Sequence, residues 1–462
     1  MVKRICLGLA LLASVPVWAQ TSATTDTQQP SSTDTAQATD ASQTPSATEA
    51  PMELPPPVTG QVYPTQVGSD VRQNYLGLGV SGSGGWDDNV LAGYTSTKTS
   101  SAIYSVSPYV FFDKKTPRTD AQFRYNPGFT FYSQASSLNE SEHTASGTMM
   151  YRLTPHFVFR AQDAFQKSSN MFGTPSPALG GPVSGALPLQ IEAVIAQFAD
   201  RINNTATVDL GLQTSENTLI GAEGSFAELD YPSSAQTPGL YNSNSVGASG
   251  FYTHRVTSHQ YLGFIYQYLE VLSYLPDSEG EAALNTFSPF YSFYLLRTKQ
   301  GNLTASIQVG LQHSSFVIRN GPFEEEWDPV VSTSLGWQGP ITNFAVSYTQ
   351  LVSGGGGLYG LYRQASVNGM AQVKIARSWT AGVGASYVTL SNETPQYQSI
   401  SGGHTIYGSA SLARSIGKDT HLEAGYSRVH ESYPGIPAIV ANPDSNRIYG
   451  SVSYQFSRPV GR

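Results

Sequence analysis

Residues 303–312 read Leu303-Thr304-Ala305-Ser306-Ile307-Gln308-Val309-Gly310-Leu311-Gln312. Apolar and hydrophilic positions alternate without a break. A period of two sends successive side chains to opposite faces of an extended chain, so this stretch is a strand with one apolar face and one wet, uncharged face. The texture recurs. Phe344, Val346 and Tyr348 alternate with Asn343, Ala345, Ser347 and Thr349. Val367, Gly369, Ala371, Val373 and Ile375 alternate with Ser366, Asn368, Met370, Gln372 and Lys374. Ala206, Val208, Leu210 and Leu212 alternate with Thr207, Asp209, Gly211 and Gln213.

Composition says the same. Of 462 residues, 39% are hydrophobic and only 13% charged, yet the chain holds 27 Tyr and 20 Phe. A disordered chain is poor in aromatics, and a soluble globular chain carries about twice this share of charge. Many aromatics among Gly, Ser, Thr, Asn and Gln suit strands that show one face to lipid and the other to water.

The connections decide the architecture. Tight ones fall at 114–118, 154–156, 216–217, 257–259, 298–301, 338–340, 376–378 and 416–419. Longer ones, rich in Gly, Ser, Pro and Asn, fall between them at 83–100, 133–140, 169–203, 231–243, 272–283, 316–327, 353–359, 391–402 and 431–445. Short and long alternate along the whole region, as they do in outer-membrane barrels with short periplasmic turns and long external loops. The expectation is an all-β chain forming a single transmembrane antiparallel β-barrel of about 18 strands, with 16 the alternative, over 71–457 and ending in a short tail at 458–462.

The N-terminus fits that destination. Residues 1–19 read as a secretory signal peptide: Lys3 and Arg4, an apolar run from Ile5 to Val17, and a cleavage site at Val17-Trp18-Ala19. Residues 20–70, rich in Ser, Thr, Asp and Pro, read as a disordered periplasmic tether. The lone cysteine, Cys6, lies in the leader, so the mature chain offers no thiolate ligand. Losing Lys3 and Arg4 takes the formal net charge from −8 to −10. No basic block exists, which argues against nucleic acid.

The chain resembles bacterial outer-membrane β-barrel porin families of the uncharacterised, porin-like kind. The resemblance rests on Gly85-Trp86-Asp87-Asp88-Asn89-Val90 after the first strand, and on Ser141-Glu142-His143 leading to Tyr151-Arg152-Leu153-Thr154. The last strand, with Ile448, Gly450, Val452, Tyr454 and Phe456 on one face, resembles the aromatic-ended assembly signal of such barrels, although Ser457 to Arg462 follow it. The resemblance implies a barrel of the outer membrane, in some members linked to exopolysaccharide export. It implies no substrate.

Three functions follow as expectations. The first is a porin-like channel for small polar solutes. The second is a conduit in exopolysaccharide export. The third is a loop-closed structural or adhesive surface barrel. Strand parity makes Arg124, Arg160, Lys374, Asp209, Glu223, His421 and Glu423 candidates to line a pore. Leu187, Ile191, Val194, Ile195 and Phe198 have helical spacing in the longest connection, a candidate constriction. The acidic run Glu324, Glu325, Glu326 and Asp328 reads as a loop, a weak candidate for Ca²⁺. No H-E-x-x-H motif or nucleophile triad is recoverable, so no enzyme and no cofactor is expected. The expected partners are outer-membrane lipids and lipopolysaccharide, the barrel-assembly machinery, and small polar solutes or polysaccharide. A homo-oligomer is compatible.

Overall fold

A computed structural model describes residues 74–459, apart from 93–96, 117, 169–199, 233–239, 275–278, 319–322, 355–356, 394–401 and 434–443. Eighteen strands follow in order: β1 (Tyr75–Asp87), β2 (Ser101–Lys115), β3 (Thr119–Tyr132), β4 (Glu140–Thr154), β5 (Phe157–Ser168) and β6 (Arg201–Ser215). Next come β7 (Thr218–Asp230), β8 (Asn242–Thr257), β9 (Gln260–Tyr274), β10 (Glu279–Thr298), β11 (Gly301–Ile318) and β12 (Phe323–Gln338). The last are β13 (Thr342–Ser353), β14 (Tyr362–Ala376), β15 (Trp379–Asn392), β16 (Gly403–Ile416), β17 (Thr420–Ser432) and β18 (Asp444–Pro459). Each pairs antiparallel with its sequence neighbours, and β1 also pairs with β18 from Tyr75↔Pro459 to Asp87↔Arg447. The sheet is a closed barrel. No helix among the described residues is long and apolar enough to cross a membrane.

The two faces are inverted relative to a soluble protein. Leu76, Leu78 and Val80 of β1, Phe123, Phe129 and Phe131 of β3, and Ile307, Val309 and Leu311 of β11 are exposed on the outside. The buried polar residues Ser306, Gln308, Gln312 and Ser314 of β11 point inward with Ser332 and Ser334 of β12. Four tryptophans mark the ends of the outer face. By strand register, Trp86 and Trp327 stand at the loop end, and Trp337 and Trp379 at the turn end. Amphipathic rings at both ends of an apolar belt suit two membrane interfaces. Asp163 goes against the pattern, since its mid-strand position on β5 faces outward, between Gly147 of β4 and Ala206 of β6. Nothing in the structure explains that acid.

Two expected long connections contract. β9 and β10 are joined across 275–278, and β11 and β12 across 319–322. The acidic run at 324–328 is therefore strand, not loop. The physical reason is alternation: Glu324, Glu326 and Asp328 share the inner face, while Glu325 and Trp327 share the outer one and pair with Ser315 and His313.

The seam between the first and last strands carries a polar clip. Asp88 Oδ1 accepts the Asn446 backbone N–H at 2.7 Å, and its Oδ2 accepts from Asn446 Nδ2 at 2.8 Å. The Asp87 carboxylate accepts from Ser445 Oγ at 2.9 Å and from the Asn89 N–H at 2.8 Å. Asn89 Nδ2 donates to the Asp444 carbonyl at 2.9 Å. The Trp86-Asp87-Asp88-Asn89 stretch thus fastens the end of β1 to the start of β18. Val90 then packs inward with Ile103, Tyr132 and Ala135.

Hydrogen bonds to charged groups contribute about 1.5–3 kcal/mol each. Asp88→Ala, which loses two, should lower the urea midpoint of the folded barrel in detergent, read as loss of the compact form on unheated gels. Asp120→Ala, removing the exposed Lys115–Asp120 pair at 3.7 Å, should change it little. Equal midpoints for the two variants would remove the clip from the closure argument.

Candidate functional site

The inner wall brings together some of the charged residues singled out above and separates others. Arg124 (β3), Arg160 (β5), Asp209 (β6), Glu223 (β7), Lys374 (β14), and His421 and Glu423 (β17) all occupy inner-face positions in the strand register. Arg160 Nη1 lies 3.5 Å from Asp209 Oδ1. Glu223 is the cross-strand neighbour of Asp209. These three form one charged row across β5–β7. Arg124 is outside it, with its guanidinium 4.9 Å from the centre of the Tyr109 ring. Glu423 accepts from Tyr449 Oη at 3.0 Å. His421 Nδ1 lies 3.1 Å from Ser415 Oγ near the short turns. Lys374 is also close to a turn, opposite Thr380.

Leu187, Ile191, Val194, Ile195 and Phe198 lie outside the described residues. An element seen inside the barrel comes from the β13–β14 connection, where the sequence predicts one of the longer external loops at 353–359. β12 pairs with β13 only from Val331 to Gln338. Beyond Gln350 the β13 end leaves the wall and turns inward. Val352 then packs with Leu284, Phe316, Val271, Tyr359 and Leu361 in one buried apolar cluster. The inner-face Gln312 of β11 holds the backbone there. Its Oε1 accepts the Val352 N–H at 2.8 Å, and its Nε2 donates to the Val352 carbonyl at 3.1 Å. One side-chain amide thereby replaces a strand partner, which buried backbone groups require.

Glycine lets the tip approach other elements. Gly357 has φ +97, and a Cβ there would stand 2.7 Å from Tyr231 Oη. Its carbonyl accepts the Tyr241 N–H at 2.7 Å. Gly360 has φ +105. Both lie in the left-handed region that favours glycine. The base of the hairpin is pinned by charge. Arg363 bonds to the buried Asp328 of β12, and its Nη2 lies 3.4 Å from Glu393 Oε1. Carboxylate oxygens of Glu326, Asp328 and Glu393 fall within 4.8 Å of one another. Glu326 and Asp328 belong to the acidic run singled out above, but a guanidinium already provides the positive charge. Burial pushes the Glu393 carboxyl up, and Arg363 opposes the shift.

No family model matches this chain, and no curated protein matches it. Solved structures resemble it weakly. Pseudomonas aeruginosa OpdQ is 8% identical, with 84% of this chain and 100% of that chain covered and a TM-score of 0.43. P. aeruginosa OccK2 (OpdF) is 9% identical over 84% and 100%, with a TM-score of 0.44. Acinetobacter baumannii OccAB3 is 10% identical over 83% and 99%, with a TM-score of 0.43. The barrel architecture described above rests on this chain's own strand register.

The Gln312 bridge sets an expected outcome. In Gln312→Ala, amide hydrogen exchange at Val352 should accelerate at least tenfold, while exchange at Val346, paired within the wall, stays unchanged. Unaltered protection at Val352 would mean that the apolar cluster alone holds the hairpin.

Proposed function

We propose that the chain is an outer-membrane channel that passes small polar solutes. The observation that carries the reading is the pairing of an apolar outer face with a polar inner face on a closed sheet of 18 strands. Barrels of 16–18 strands are too wide for side chains to fill and leave an aqueous passage. The leader at 1–19 would deliver the chain to the periplasm, and 20–70 would remain there as a tether. The short turns would face the periplasm and the longer connections the outside.

The inward hairpin supports small solutes over a polymer. It packs on the inner face of β9–β11 through Val271, Leu284 and Phe316 and takes space inside the barrel there. Selectivity then depends on groups facing the remaining water. Arg124, Arg160 and Lys374 are the basic ones proposed for that role, against Asp209, Glu223 and Glu423.

Purified protein in planar bilayers should show discrete open channels. A silent barrel would instead favour a loop-closed structural role. Changing Arg124, Arg160 and Lys374 together to Glu should shift the reversal potential in a salt gradient toward cations. The shift should shrink between 0.1 M and 1 M salt, as the Debye length falls from about 10 Å to about 3 Å. Heat-modifiability on gels should survive, because lumen substitutions mainly tune selectivity. A folded triple variant with the parent's ion preference would show that these residues do not border the conducting path.

A further inference from the structure

Two other arginines inside the barrel have acidic partners. Arg160 has Asp209 at 3.5 Å, and Arg363 has Asp328 and Glu393. Arg124 differs. Among the described residues no carboxylate lies within ion-pair distance of it, and its described contact is with the face of the Tyr109 ring. It also borders a recess of about 360 Å³ in the wall between β3 and β6. The inner-face side chains around that recess are Thr144, Ser146, Gln166, Asn203 and Thr205, neutral hydroxyls and amides, with the small Ala164 between Ser146 and Thr205.

We propose that this recess is a binding subsite for a small, hydroxyl-rich solute bearing one anionic group, a sugar acid or a sugar phosphate. The idea rests on the channel reading above and names the solute class. An arginine fork matches a carboxylate or phosphate geometrically, and a charge-assisted hydrogen bond is about twice as strong as a neutral one. The Tyr109 ring covers one face of the guanidinium, which leaves its N–H edge to meet an anion. Hydroxyls and amides both donate and accept, which suits the mixed donors and acceptors of a sugar. The volume lies near the lower end of the usual 300–1,000 Å³ for ligand sites, which suits a monosaccharide rather than a chain. Asp209 and Glu223 lie lower on β6 and β7, displaced from Thr205 toward the short turns, so an anion held at Arg124 does not share their row.

The test separates binding from conduction. Saturation-transfer NMR on the folded barrel in detergent would titrate glucuronate, glucose 6-phosphate and glucose. Glucuronate or glucose 6-phosphate should saturate at millimolar concentration, with glucose at least tenfold weaker. Whichever of the two anions binds tighter identifies the source of the charge. Arg124→Gln should lose at least tenfold for both anions, and Lys115→Gln, at a short turn and paired with Asp120, should keep them. Thr205→Val with Gln166→Leu should weaken both anions and leave the fold's gel mobility unchanged, so the subsite stays testable if Arg124→Gln fails to fold. Equal affinity for glucose and glucuronate, or parental affinity in Arg124→Gln, would overturn the subsite. In planar bilayers, the preferred anion should reduce the salt current of the parent and not of Arg124→Gln. A silent barrel that still binds through Arg124 overturns the channel and keeps the subsite. A conducting barrel that binds neither anion overturns the subsite and keeps the channel.

Discussion

Pairing of the backbone is the constraint on which the rest depends. A strand facing hydrocarbon cannot send its N–H and C=O groups to water, and each unpaired group costs several kcal/mol there. A sheet meets that demand only by closing on itself. Here closure joins β1 to β18, strands separated by nearly the whole described chain. The Asp87-Asp88-Asn89 clip lies at one end of this seam and acts on the backbone and side chains of Asn446, Ser445 and Asp444. It adds charge-assisted bonds where the two ends of the chain must find each other, the contact with the largest loop to close.

Closure also sets the division of chemistry. Once the sheet is a barrel, every alternate residue is committed to one of two solvents. The outer belt takes Leu, Val, Phe and Trp, and the inner face takes Ser, Thr, Gln and the charged groups. The inward hairpin is the place where the rule is relaxed. There the β13 end gives up its β12 partner, and Gln312 and the Arg363–Asp328 pair replace what the ladder would have supplied. Its apolar cluster around Val352 and Phe316 is a small core of soluble-protein type inside the barrel.

Much of this was legible residue by residue. Strict alternation located the strands, because a period of two leaves no freedom once a strand is assigned. The eight tight turns stand where their polar residues stand in the chain. Misreading entered at connections. Glu324 to Asp328 have the composition of a loop, and only pairing with Ser314, Ser315 and Phe316 makes them strand. The hairpin at 351–361 carries a glycine run that any external loop could carry.

Sequence alone determined the class and the two-faced character, since these follow from local periodicity and from the spacing of turns, and it left the strand count between 18 and 16. Only the tertiary structure decided which groups meet. Asp88 and Asn446 lie 358 positions apart, Gln312 and Val352 lie 40 apart, and Arg363 reaches Asp328 and Glu393 from between them. Among the described residues Arg124 has no acidic partner while Arg160 has Asp209, although both stand on the same polar phase of their strands. The physical reason is that alternation fixes the face of a side chain but not its height in the barrel. Height depends on cross-strand register, which closure sets for the whole sheet together.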